Sequence, residues 1–150
     1  MKKINKQNQK NNIFSMSGKV VMIFGGSGKL GIQFSKILKE NGAKVYLLDK
    51  KRVNKNEYFI KCDVQKLNDI KNSFKKIINK EKKIDVIIYN VYSKPQNYYE
   101  KFENYKKKTW DNVLEANLTG AFLVSQSAIN IFIKKKIKGN IIFLWYMIRK

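Results

Sequence analysis

The 150-residue sequence has no histidine, one cysteine, one proline and, at Arg52 and Arg149, only two arginines. Without histidine there is no imidazole for acid–base chemistry or metal coordination, and Cys62 alone makes neither an internal disulfide nor a Cys/His metal set. Acidic residues are scarce too: 11 Asp and Glu stand against 32 Lys and Arg, a formal net charge of +21. That balance ordinarily points to nucleic acid or an anionic membrane. Here 30 of the basic residues are lysine, whereas readers of phosphate favour the arginine fork. Lys, Asn and Ile, all favoured by A/T-rich codons, make up 66 of the 150 residues. Base composition therefore accounts for the charge, and no specific nucleic-acid partner is expected. Long apolar runs are missing as well. The longest, Ile141 to Ile148, is too short to cross a bilayer, and the opening MKKINKQNQKNN has no apolar signal-peptide core. These features predict a disordered basic and polar tail over residues 1–16, one domain over 17–150, no membrane span and a soluble cytoplasmic protein.

What is present is more specific. Val20 to Phe24 is a β-rich apolar run that empties into Gly25-Gly26-Ser27-Gly28-Lys29-Leu30-Gly31. Glycines at i, i+3 and i+6 let a chain turn tightly off a strand, approach a pyrophosphate and pack a helix close to a sheet. The helix that follows offers free N–H groups and the positive end of its dipole. Leu30, Phe34, Ile37 and Leu38 form its expected apolar face, and Asn41-Gly42 its C-cap. Gly25, Ser27, Gly28, Lys29, Leu30 and Gly31 are thus candidate cofactor contacts. The alternative is an ordinary strand-turn-helix whose glycines serve packing alone. A nucleoside-triphosphatase loop is excluded, because Leu30 follows Gly28-Lys29 where Ser or Thr should hold Mg²⁺.

A strand-then-helix rhythm continues along the chain. Strands are predicted at 44–48, ending at Asp49, at 58–62, ending at Asp63, at 85–89, ending at Asn90, and from Ile141 onward. Helices are predicted over 67–79, from about Thr109 through Ala116, and over 118–136, with a long aromatic loop between 90 and 105. Trp110 is expected in the core, and Cys62 as a small buried hydrophobe. Alternation of this kind predicts an α/β fold, a doubly wound parallel Rossmann-like sheet, incomplete at its C-terminal end. Ligands of such sheets lie beyond the carboxyl ends of the strands, where Gly25, Asp49, Asp63 and Asn90 fall. Asp49 can accept a ribose 2′-hydroxyl, favouring NAD over NADP, though Lys50, Lys51 and Arg52 could still hold a 2′-phosphate, and Asp is also a common turn residue. Asp63 suits an N-cap or turn equally well.

Over about Ser17 to Phe143 the chain resembles the short-chain dehydrogenase/reductase family. Phe24-Gly25-Gly26-Ser27-Gly28-Lys29-Leu30-Gly31 resembles its cofactor loop. Cys62-Asp63-Val64 resembles the Asp-Val element at adenine, and Asp85 to Asn90 the strand ending in Asn-Asn-Ala-Gly. Trp110-Asp111 with Asn117-Leu118-Thr119-Gly120 resembles the helix bearing the catalytic Asn. The resemblance implies hydride transfer between a nicotinamide cofactor and an alcohol or ketone, with a sugar as one candidate, in a homo-oligomer. It assigns cofactor contacts to Asp63, Val64 and Asn90 and a proton-relay role to Asn117. The chain departs from the pattern at Phe24, Tyr89 and Val91-Tyr92. Leu144-Trp145-Tyr146 stand where the family has its Ser, and the chain stops before the family's Tyr-x-x-x-Lys. Tyr46/Lys50 and Tyr146/Lys150 have that spacing, but eight tyrosines among 30 lysines give about one or two such pairs by chance. The expectation is a fragment inactive on its own, or else a non-catalytic dinucleotide-binding or interaction module.

Overall fold

The computed structural model describes residues 13–53 and 58–145. Five strands, β1 (Val20–Phe24), β2 (Lys44–Asp49), β3 (Phe59–Lys61), β4 (Val86–Tyr89) and β5 (Asn140–Phe143), form one sheet in the order β3-β2-β1-β4-β5. Every pairing is parallel. This is the expected Rossmann-like sheet, with the order reversing at β1. Residues alternate between its faces. Val20, Met22 and Phe24 join a core with α2 (Leu67–Glu81) and the long helix preceding β5, while Val21 and Ile23 face α1 (Lys29–Glu40). All five β1 residues are buried, as a central parallel strand requires.

The amino end of the sheet is closed by polar clamps. Asp85 accepts the Val20 N–H at 2.8 Å and pairs with Lys83 at 3.2 Å and Lys19 at 3.5 Å. Tyr46 donates to Glu81 at 2.5 Å, and Lys44 pairs with the same carboxylate at 2.8 Å. Tyr46 is thus a structural residue, with its hydroxyl far from the carboxyl ends of the strands. The α1 C-terminus ends as expected: Gly42, at φ 95°, donates to Lys39 O and Ala43 to Leu38 O.

Four sequence expectations need correction. The helices expected on either side of residue 117 run together: α3 (Lys107–Leu114) continues through a π-turn (Glu115–Thr119) into α4 (Gly120–Lys135). A single inserted residue absorbs the polar Asn117 without breaking the rod. Its start is Lys107, two residues before the expected Thr109, which is buried inside the helix. Trp110 is 53% exposed, because Thr109, Ala116 and Gly120 occupy the inward face and 110 lies a third of a turn away. On α1, Phe34 and Leu38 pack against the sheet but Leu30 and Ile37 are exposed, so the buried stripe is narrower than the periodicity implied. The helix from Lys107 to Lys135 is long and apolar enough by length and composition to cross a membrane, yet it buries Val124 and Ala128 against the sheet and α2 as a core helix does. Of the expected tail, residues 1–12 lie outside the described part, while Met16 donates to Asn41 O and packs beneath α1. The terminal Tyr146/Lys150 pair also lies outside it.

Candidate dinucleotide site

The carboxyl ends of β1, β2, β3 and β4 surround a cleft of about 340 Å³, large enough for part of a nucleotide. Its floor is the turn from β1 into α1. Gly25 has φ 74°, and a Cβ there would lie 2.5 Å from the Asn90 carbonyl oxygen. At Gly31 a Cβ would lie 2.5 Å from Gly25 O, so this glycine lets α1 start against the loop. The turn is held by Gly25 and Gly26 N–H groups donating to Leu48 O and by the Asn90 Nδ2 donating to Gly25 O at 3.0 Å. The helical ladder begins with Ile32 N–H on Gly28 O, and no side chain caps α1. The N–H groups of Lys29, Leu30 and Gly31 therefore point out of the helix end without an intrahelical partner.

Asp49 stands at the end of β2, where its Oδ2 accepts the Ser27 N–H at 3.0 Å. One carboxylate oxygen thus orders the loop, and the other remains available to a ligand hydroxyl. Lys50 is drawn aside: its ammonium pairs with Asp63 at 3.1 Å and donates to Gln65 at 2.7 Å. Asp63 is occupied by its turn as well, accepting the Gln65 N–H at 3.0 Å, so its side chain plays the turn role. Val64 is buried and lines the cleft beside Cys62, whose thiol burial pushes up to about 11. The far wall comes from Ala116 in the π-turn and from Val91 to Lys94. Asn117 reaches this wall: its Oδ1 accepts the Ser93 N–H at 2.8 Å, and Ser93 in turn donates through Oγ to Asn112 at 2.9 Å.

Of the residues named from sequence, Gly25, Gly28, Asp49 and Val64 line the cleft, while Ser27, Gly31, Asp63, Asn90 and Asn117 build it from behind. Lys29 and Leu30 are exposed on the first turn of α1. Sequence reasoning missed Leu48, Cys62, Ser93 and Ala116, all lining residues. Leu48 and Cys62 each precede an aspartate at a strand end, a legible signal. Ser93 and Ala116 carry none, because their place depends on how a loop and a helix meet.

The profile of the short chain dehydrogenases matches residues 19–147. The chain belongs to this family. Secoisolariciresinol dehydrogenase of Forsythia intermedia is 28% identical over 137 residues, covering 85% of this chain and 49% of that one. A short chain dehydrogenase from Leptospira borgpetersenii, solved with bound NAD+, superposes with a TM-score of 0.79 at 27% identity over 95% of this chain and 56% of that one. Aldohexose dehydrogenase of Thermoplasma acidophilum does so with a TM-score of 0.71 at 27% identity, over 79% and 46%. The chain spans about half the length of the relatives it matches. It is a short-chain dehydrogenase chain whose cofactor-loop, Asp-Val and Asn elements fall around one cleft.

Proposed function

We propose that this chain forms the dinucleotide-binding part of an oxidoreductase that uses NAD in preference to NADP. The observation that carries the reading is the uncapped α1 N-terminus behind a loop where added Cβ atoms at Gly25 and Gly31 would strike backbone. Gly25, Ser27, Gly28, Lys29, Leu30 and Gly31 would hold the pyrophosphate, Asp49 the adenosine ribose and Val64 the edge of the adenine pocket, with Asp63 and Asn90 shaping the cofactor site from behind. When bound, the nicotinamide group supplies or accepts the hydride. The preference for NAD rests on Asp49 lining the cleft with only its Oδ2 bonded to the loop, while Lys50 is paired with Asp63. NADP would bring a 2′-phosphate against that carboxylate.

Asn117 takes the place of the family's proton-relay Asn, and its carboxamide oxygen serves the Ser93 N–H. The substrate of the whole protein is a small alcohol or ketone. A sugar is the candidate class suggested by the similarity to an aldohexose dehydrogenase. A lysine-free stretch from Thr109 to Ile133, with Leu118, Phe122, Ile129 and Ile133 exposed along it, supports a homo-oligomer of the whole protein. A cytoplasmic location fits the single, buried cysteine, and no specific nucleic-acid or membrane partner is required. A second reading, a dinucleotide-binding module without chemistry, is favoured by Leu144-Trp145 standing where the family has its Ser.

Calorimetric titration of NAD and NADP into the chain and into Asp49→Ala tests the proposal. NAD should bind more tightly, and the variant should lose the preference; tighter NADP binding by the unaltered chain would overturn it. With NAD and secondary alcohols the chain should show no turnover, since no tuned tyrosine takes the hydroxyl proton. Turnover that vanishes in Tyr146→Phe would overturn that expectation and the module reading with it.

A further inference from the structure

We infer that Tyr89 is a positioning residue of the nucleotide cleft, its hydroxyl tying the π-turn to the sheet and so fixing the wall that Ala116 and Ser93 present. The inference rests on the dinucleotide reading above. Tyr89 ends β4, is 2% exposed, and has its ring 6.2 Å from those of both Phe24 and Phe143. A π-turn shifts the helical hydrogen-bond pattern and leaves a carbonyl without its usual N–H. Here the Tyr89 hydroxyl donates to Ala116 O, within the turn and itself buried. Gly120 makes room for that reach, since a Cβ there would lie 2.5 Å from the Tyr89 hydroxyl oxygen and 3.0 Å from Val64 Cγ2.

Two walls of the cleft depend on this bond. Ala116 lines it directly, and Val64 sits against Gly120 from the other side. One residue beyond Ala116, Asn117 holds Ser93, another lining residue. If the π-turn relaxes towards a regular helix, the residues after it rotate and Asn117 leaves the Ser93 N–H. The resemblance places an Asn at this position, and an Asn side chain is too short to span the distance the phenol ring fills. Tyr89 is thus a departure from the family pattern with its own function: it ties strand end to helix across the cleft.

The test compares Tyr89→Phe with Tyr46→Phe, which removes a tyrosine–acceptor bond at the opposite end of the sheet. Titration with NAD and with AMP should show affinity falling about ten-fold in Tyr89→Phe, the worth of one buried neutral hydrogen bond, and unchanged in Tyr46→Phe. Amide exchange at Ser93 should quicken in Tyr89→Phe alone. If Tyr89→Phe does not fold, Gly120→Ala, which pushes on the same hydroxyl, should produce the same pair of effects. Affinity within two-fold of the unaltered chain together with unchanged Ser93 exchange would overturn the inference. Failure of the unaltered chain to bind either nucleotide would sink the dinucleotide reading instead, while Ser93 exchange would still decide whether Tyr89 holds the turn.

Discussion

Gly18 and Gly25 offer a matched pair for testing the cofactor loop, because both have left-handed φ, 70° and 74°, but different surroundings. A Cβ at Gly18 meets nothing within 4 Å, whereas one at Gly25 would lie 2.5 Å from Asn90 O and 2.7 Å from Asn90 C. Alanine in that conformation costs about 1–2 kcal/mol, partly offset by about 0.4–1 kcal/mol of entropy lost from the unfolded chain. Gly18→Ala should therefore destabilise by about 1 kcal/mol. Gly25→Ala adds a backbone clash, for the Asn90 carbonyl would have to retreat about 0.9 Å to reach ordinary contact at 3.4 Å. Overpacking of this kind costs about 1–3 kcal/mol more. At about 2–4 °C per kcal/mol for a chain of this size, Tm should fall by about 2–4 °C in Gly18→Ala and about 5–15 °C in Gly25→Ala. The retreat also pulls the Asn90 amide off Gly25 O and opens the loop, so NAD affinity should collapse in Gly25→Ala and persist in Gly18→Ala. Thermal melts and calorimetry on the two variants check both numbers. Equal destabilisation, or intact NAD binding in Gly25→Ala, would refute the claim that this glycine exists for close approach.

Two further expectations concern ionisation. Burial alone would raise the Asp85 carboxyl, but the Val20 N–H and the ammonium groups of Lys83 and Lys19 outweigh it and hold the group below its ordinary range. Its stabilisation is therefore complete above about pH 4 and is lost as pH falls through the lower folded value, so the stability gap between the unaltered chain and Asp85→Asn should be about 1–3 kcal/mol at pH 7 and close in acid; urea melts that stay parallel from pH 7 to 2 would contradict this. With its thiol pushed up to about 11 by burial, Cys62 should resist iodoacetamide at pH 8 in the folded chain and react once unfolded, and rapid labelling of the native protein would show that it is not the inert hydrophobe described.

The sheet was legible because its central strands are buried on both faces and read as apolar runs of the right length. Val20 to Phe24 and Val86 to Tyr89 needed no partner to be recognised. What failed was information that resides between elements. Trp110 and Leu30 are apolar and periodic, yet a helix docks at one angle, and the neighbours that fix it are distant in sequence. The run from Lys107 to Lys135 defeated local reading for another reason. Asn117 lowers helix propensity by tenths of a kcal/mol, while a π-turn lets the rod continue and keeps its tertiary packing. Propensity marks where a helix is weak; packing decides whether it breaks.

The site shows the same division between chemistry that sequence displays and chemistry that only pairing reveals. Asp49 and Asp63 read as polar groups at ligand-facing strand ends and Asn117 as a polar residue on a helix, yet the structure spends one side-chain oxygen of each on an N–H: Ser27, Gln65 and Ser93 respectively. A carboxylate has a second oxygen to offer, so Asp49 can order its loop and still meet a hydroxyl. Asp63 pairs with Lys50 through the same Oδ1 that caps its turn, and that pairing withdraws the nearest ammonium from the cleft. On the proposed NAD preference, selectivity against a 2′-phosphate would rest on three residues, with Asp63 acting without touching the ligand. Asn117 has a single carboxamide oxygen, one of whose two lone pairs serves the Ser93 N–H, while its NH2 can only donate. The side chain therefore holds the wall in place first, and any second contact it makes has to fit around that bond.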